Sequence, residues 1–170
     1  MDFSNLSTVK LSEKLAPLAD NIYRKKWKAI SIERTKRCDG RVSILDKEFC
    51  IDVILTLPNG AILTGQEKFR SYPAFKKYLG EATIEYYQDP DIFEKGEFFH
   101  LASQFYFYGF SNEKKTGFLK YYCLDVARLT LALAFKKIPY RVFQNHKYSK
   151  ASFIAFSYKD IPKDCILFAG

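Results

Sequence analysis

Asp52, Gln66 and Lys68 are the residues of this chain whose types and spacing could do chemistry together. They lie in IDVILTLPNGAILTGQEKFR (51–70), two apolar runs joined by Leu-Pro-Asn-Gly. Proline and asparagine suit the two central positions of a type I turn, and Gly60 suits the left-handed residue that follows. A three-residue loop of this kind sets Leu57 against Ala61, which puts Asp52 across from Gln66 and Cys50 across from Lys68. Side chains alternate along a strand, so Asp52, Gln66 and Lys68 share one face at the open end of the hairpin, and Glu67 points away. A two-residue loop would set Asp52 against Glu67 instead. A carboxylate beside an amide oxygen offers hard ligands to a cation such as Mg²⁺, which keeps several of its waters. Such an ion polarises a phosphodiester and acidifies a bound water, and a neighbouring lysine orients that water or meets charge building on phosphorus.

The elements around this hairpin follow from periodicity. Apolar residues three and four apart predict a helix over 11–28, despite Pro17 in mid-course. AISIER (29–34) reads as a short strand and TKRCDGR as a turn. Strands are expected near 49–57 and 61–70, a loop or short helix over 71–80, and a strand over 82–88. FFHLASQFYFYGF (98–110) reads as one long aromatic strand at the centre of the sheet rather than a base-stacking platform. GFLKYYCLDVARLTLALAFKK (117–137) reads as the clearest helix, with Lys136 and Lys137 at its C-terminal dipole. ASFIAFSYKDI (151–161) reads as a closing strand. The expected architecture is α/β, a single mixed sheet flanked by helices, in one domain spanning 1–170.

Composition limits the rest. The chain has 170 residues, 48% hydrophobic and 17% aromatic, with no apolar run of the roughly 20 residues that a bilayer span needs. The N-terminus lacks a signal-peptide layout. A soluble, cytoplasmic protein without a membrane partner is expected. Cys38, Cys50, Cys123 and Cys165 form no C-x-x-C pair and read as reduced, buried small hydrophobes. No Ser-His-Asp, Walker or dinucleotide motif is present, which leaves acyl transfer and nucleotide hydrolysis unsupported.

Lys and Arg number 27 against 19 acids, a net charge of +8, which suits a polyanionic partner. The charge is segregated along the chain. Glu81 to Glu97 carries six acids and one lysine, whereas the stretch from Lys136 to Lys150 holds Lys136, Lys137, Arg141, Lys147, Lys150 and His146 with no acid. One face meeting phosphates and another avoiding them would give this pattern. A solvated helix-to-strand loop would give the basic segment equally well. Arg70, on the Lys68 face, suits either a phosphate or a surface salt bridge.

Asp52 followed fourteen residues later by Gln66-x-Lys68 resembles the active-site motif of the PD-(D/E)XK nuclease superfamily, the restriction-endonuclease-like fold. The Ile-Asp lead-in, the Asn-Gly turn and the Glu-Lys-Phe-Arg tail are similar to uncharacterised phage-type members. The resemblance implies a hydrolase using Mg²⁺ or Mn²⁺ to cleave nucleic acid, DNA in the first instance, with Asp52 and Gln66 on the metal and Lys68 positioning water. In the family an Asp/Glu stands where Gln66 is, so the chain departs from the pattern and metal affinity should fall. The family's first helix often adds an acid, for which Asp20 is the candidate and Glu33 the alternate; Glu67 becomes the ligand if the register slips by one. Arg70, Lys136, Lys137, Arg141 and Lys147 would then grip the DNA backbone, and a homodimer follows by analogy with relatives. The alternative is a nuclease-fold protein that has lost catalysis and binds nucleic acid or serves in an assembly.

Overall fold

A computed structural model describes residues 7–35, 43–78, 80–144 and 150–170. Cys38, His146 and Lys147 lie outside them. Among the described residues the chain is mixed α/β, and its strands form two sheets rather than the single sheet expected. One has six strands in the order β1(Ser31–Arg34)-β2(Val53–Thr56)-β3(Ile62–Arg70)-β6(Phe105–Ser111)-β7(Phe118–Asp125)-β10(Ile166–Ala169). Within it β3 and β6 run parallel and every other neighbouring pair is antiparallel. The other has the antiparallel order β5(Glu94–Lys95)-β4(Glu81–Asp89)-β9(Ser152–Ser157)-β8(Tyr140–Gln144). No described helix is long and apolar enough to cross a membrane.

The first helix, α1(Ser7–Trp27), buries Leu11, Leu15, Ala19 and Tyr23 at four-residue spacing. Ala19 and Tyr23 pack on Val53, Leu55, Phe105 and Phe107, covering one face of the six-stranded sheet. Pro17 sits inside the helix on its exposed side. The other face of that sheet meets the four-stranded sheet and α5(Val126–Ala134). There Tyr106, Tyr108, Ile84, Ile154, Phe156 and Leu129 share a core. All of β6 is buried, as the aromatic run predicts for a central strand.

Two further expectations are corrected. The helix read over 117–137 is a strand, β7, that turns into the shorter helix α5. Asp125 caps α5 by accepting from the Arg128 amide (2.9 Å), and an aspartate in that position stops a strand and starts a helix at once. Lys136 and Lys137 therefore fall beyond the helix. The long strand read over 98–110 begins only at Phe105, because Glu97–His100 form a single helical turn, α4. Strands β8 and β10 and the short helix α2(Ile44–Phe49), capped by Ser43 through the Leu45 amide (3.2 Å), add to the elements expected. The last helix to be placed is α3(Tyr72–Lys77), in the stretch expected to be a loop or short helix.

Candidate functional site

The turn at Pro58-Asn59 forms as its residues require. Gly60 has φ +81° and donates to Leu57 O (2.9 Å), Leu57 donates to Ala61 O (2.9 Å), and Asn59 Oδ1 accepts from the Ala61 amide (3.0 Å). The ladder that follows pairs Thr56 with Ile62, Leu55 with Leu63, Ile54 with Thr64 and Val53 with Gly65, the register read from the loop. One step further it breaks. The Asp52 amide also donates to Gly65 O (2.8 Å), so Asp52 and Val53 both oppose one residue, a bulge at the strand's start. Ile51 O, which a continued ladder would offer to Glu67, accepts instead from Thr35 Oγ1 (2.6 Å). Asp52 Oδ2 takes its place and accepts from the Glu67 amide (2.8 Å). The carboxylate thus substitutes for a strand carbonyl, and Oδ1 has no hydrogen-bond partner among the described residues.

Gln66, Lys68 and Arg70 alternate onto the face turned toward the second sheet. Lys68 Nζ donates to Glu97 Oε2 (2.6 Å), with the two side chains only 20% and 11% exposed. Glu97 Oε1 accepts from Tyr106 OH (2.8 Å) and, at 3.4 Å, from Gln66 Nε2. Glu97, on α4, is the member of this cluster that sequence reasoning misses. It stands thirty-one positions from Gln66, and the one local signal is a glutamate just after Gly96. Burial alone would push its carboxyl up, but Lys68, Tyr106 and the Glu85 amide outweigh it and hold the carboxyl below its ordinary value. The buried oxygen Oε1 of Gln66 has no partner at all among the described residues.

Glu67 turns to the opposite face, where it accepts from Tyr23 OH (2.8 Å) and from Arg34. Arg34 also donates to Asp20 and to Ala16 O (3.1 Å). Burial works against the guanidinium's charge, but Glu67 and Asp20 more than restore it, so Arg34 stays protonated. Asp20 and Glu67, named as metal ligands in sequence, are therefore both bound to one arginine. Glu33 is exposed on the edge strand β1.

Asp52, Gln66 and Lys68, expected to share one face, do not all line one cavity. Asp52 and Gln66 line one cavity of about 740 Å³ beside α1, and Gln66 and Lys68 line another of about 670 Å³ bounded by α4. Asp46, Gln66 and Glu67 belong to both. Burial raises the Asp52 carboxyl to about 7; the Glu67 amide opposes this, while Asp46, Glu67 and Glu97 add to it through like charge. Cys50 lines the second cavity, where burial first, then Glu97, Asp52 and Asp46, lifts its thiol to about 12. It is no thiolate nucleophile at neutral pH. Among the described residues no group of three or more His, Cys, Asp or Glu side chains is placed to share a metal ion.

The basic residues are scattered. Arg70 lies inside, donating to Tyr108 OH (2.9 Å) and Thr83 Oγ1 (2.6 Å). Arg141 pairs with Glu81 (2.8 Å), and Lys150 with Asp91 (2.9 Å) and Asp89 (3.7 Å). The acidic and basic runs that are segregated along the chain thus meet in space, because β9 brings β4 and β8 into one sheet. Lys136 and Lys137 are exposed just beyond α5. No protein-family model, curated protein or solved structure matches the chain.

Proposed function

We propose that this protein hydrolyses phosphodiester bonds in nucleic acid, DNA in the first instance, at the Asp52–Gln66–Lys68 hairpin with a bound Mg²⁺ or Mn²⁺. The observation that carries the reading is the buried Gln66 Oε1, without a partner among the described residues, on a residue that lines a cavity with Asp52, whose own Oδ1 has no partner there either. Two hard oxygens in a cavity that Asp46 also lines suit a hard divalent cation. Asp52 and Gln66 would hold it, and when bound it would supply charge to polarise the phosphodiester and acidify a water.

Each side chain then has a stated task. Asp52, released from protonation by a cation, carries the negative charge that the ligand set needs. Gln66 contributes an oxygen but no charge, and Glu97 restores the missing acid from α4, within hydrogen-bond reach of the Gln66 amide. Lys68, paired with Glu97, faces the same cavity as Gln66 and meets the negative charge that develops as water adds to phosphorus. Lys136 and Lys137 offer non-specific backbone contacts; Arg141 contributes less, since it is already paired.

The test is incubation of circular and single-stranded DNA with Mg²⁺ or Mn²⁺, alongside Asp52→Asn, Lys68→Met and Glu97→Gln. Cleavage reduced at least ~100-fold in each variant is the expected result, the scale set by removal of one charge-stabilising group. A second reading, a nuclease-like protein without catalysis that binds nucleic acid or serves in an assembly, draws on the ion pair that engages Lys68. Intact DNA with salt-sensitive binding would establish it in place of the first.

A further inference from the structure

Arg70 lies in a cavity of about 290 Å³ between the two sheets and bordered by α3, rather than in a surface salt bridge. Its guanidinium donates Nε to Tyr108 OH and Nη2 to Thr83 Oγ1 and lies 5.8 Å from the centre of the Tyr108 ring. No carboxylate pairs with it among the described residues. Glu81, the carboxylate that lines this cavity, is engaged by Arg141. Since both hydroxyl oxygens accept from Arg70, their own protons remain to be given elsewhere. They lie 3.5 Å apart, so one can donate to the other, and at least one proton is left for a ligand. The cavity therefore holds a fixed cation and an unspent hydroxyl donor, a set that suits an oxyanion. Ala74 and Lys77 of α3 and the rings of Tyr78, Phe110, Phe143 and Phe153 complete its walls, and Phe143 and Phe153 stack on each other at 5.7 Å. Burial works against the charge of Arg70, but Tyr108 and Tyr106, with Glu97 further off, overcome it and raise the guanidinium further.

We infer that this cavity binds one nucleotide unit, with the phosphate on Arg70 and the hydroxyls and the base against Tyr78, Phe143 and Phe153. Its volume lies at the lower end of small-molecule sites, ~300–1,000 Å³, enough for a single nucleotide and too little for a duplex. Aromatic walls favour a planar base without choosing among bases. Two sources supply such a unit, a free mononucleotide and the terminal nucleotide of a strand. The second rests on the proposed phosphodiesterase reading. Arg70 follows Lys68 by two residues on the same face of β3, about 7 Å along the strand, a separation on the scale of one nucleotide. A phosphate on Arg70 would set the neighbouring linkage near Lys68.

The test is calorimetric titration in EDTA, so that no metal-dependent cleavage intervenes. The probes are thymidine monophosphate, thymidine, and a short thymidylate oligomer with and without a 5′-phosphate. The proteins are the unaltered chain, Arg70→Gln and Tyr78→Ala. Saturable binding of the monophosphate is expected, at least tenfold weaker for thymidine and for Arg70→Gln, and several-fold weaker for Tyr78→Ala. A phosphorylated oligomer that binds more tightly than its unphosphorylated form identifies the strand end as the source, and preference for the free monophosphate identifies the other; either supports the pocket. Tyr78, 42% exposed, can be truncated without opening the core, which keeps the test informative if Arg70→Gln does not fold. Absence of saturable binding by any phosphorylated probe overturns the inference, and so does binding left unchanged by Tyr78→Ala. Inactivity toward DNA leaves these readouts untouched, so the pocket and the hydrolytic reading fail separately.

Discussion

Asp52→Asn is the perturbation that asks most of the proposed centre. In the folded chain the Asp52 carboxyl titrates near 7, against an ordinary 3.8, because it is buried among Asp46, Glu67 and Glu97. At ~1.4 kcal/mol per tenfold change in proton affinity, that gap corresponds to about 4 kcal/mol, and water entry and relaxation reduce it to about 2–4 kcal/mol. The sign follows from linkage. Between pH 4 and 7 the folded chain keeps a proton that the unfolded chain has released, so stability falls as pH rises through this window and levels off above it. Asparagine is neutral throughout, and its carbonyl oxygen can accept from the Glu67 amide as Asp52 Oδ2 does. The variant should match the unaltered protein near pH 4 and exceed it by about 2–4 kcal/mol at pH 8. Mg²⁺ should narrow that difference at pH 8 by stabilising the unaltered chain, by about 2.7 kcal/mol at a hundred times its dissociation constant, and should do far less for the variant. Urea unfolding from pH 4 to 8.5, with and without Mg²⁺, measures each quantity. Parallel pH profiles for the two proteins would refute the buried-charge account, and equal stabilisation by Mg²⁺ would remove Asp52 from the ligand set.

Two further outcomes bear on the surroundings. Lys68→Met strands the Glu97 carboxylate with only Tyr106, the Gln66 amide and the Glu85 amide as donors, so it should cost about 3–5 kcal/mol in urea unfolding. Adding Glu97→Gln should return most of that loss, and a double variant no more stable than the single one would show that the pair is not the cause. Gly65→Ala would put a Cβ 2.1 Å from Cζ of Phe105, and displacing that ring should cost about 1–3 kcal/mol; partial rescue by Phe105→Leu is the check, and an unperturbed melting temperature in Gly65→Ala would contradict the close approach.

Local chemistry is legible in the sequence where it acts over a few residues. Pro58, Asn59 and Gly60 each have one conformational use in a short loop, so the hairpin register follows from the loop residues alone. The existence of α1, from apolar residues three and four apart, and the largely aromatic β6 are legible for similar reasons. Runs without a clear period are not. Residues 118–134 are largely apolar, and Asp125, as a helix cap, marks the point where a strand becomes a helix. The sequence does contain that signal, as it contains Ser43 ahead of α2. The second sheet is harder. Its strands β4, β9 and β8 are joined by long-range pairing, with Glu85 against Phe153 and Arg141 against Ala155, and no local pattern specifies such partners.

The same distinction explains the candidate site. Alternation along β3 correctly separates Gln66 and Lys68 from Glu67, because it depends only on the pleat. Asp52 departs from simple alternation because the ladder ends at Val53, and a bulge lets its carboxylate take the amide that Ile51 would have accepted. The acid that meets Lys68 comes from α4, a turn whose existence is concealed within an aromatic run. Gln66 is thus intelligible only in three dimensions. A glutamate at that position would have faced Glu97 at hydrogen-bond range with Lys68 alone to neutralise both, whereas an amide donates to Glu97 and still offers an oxygen. In the fold, Gln66 is the side chain beside which the Glu97 carboxylate approaches from another element.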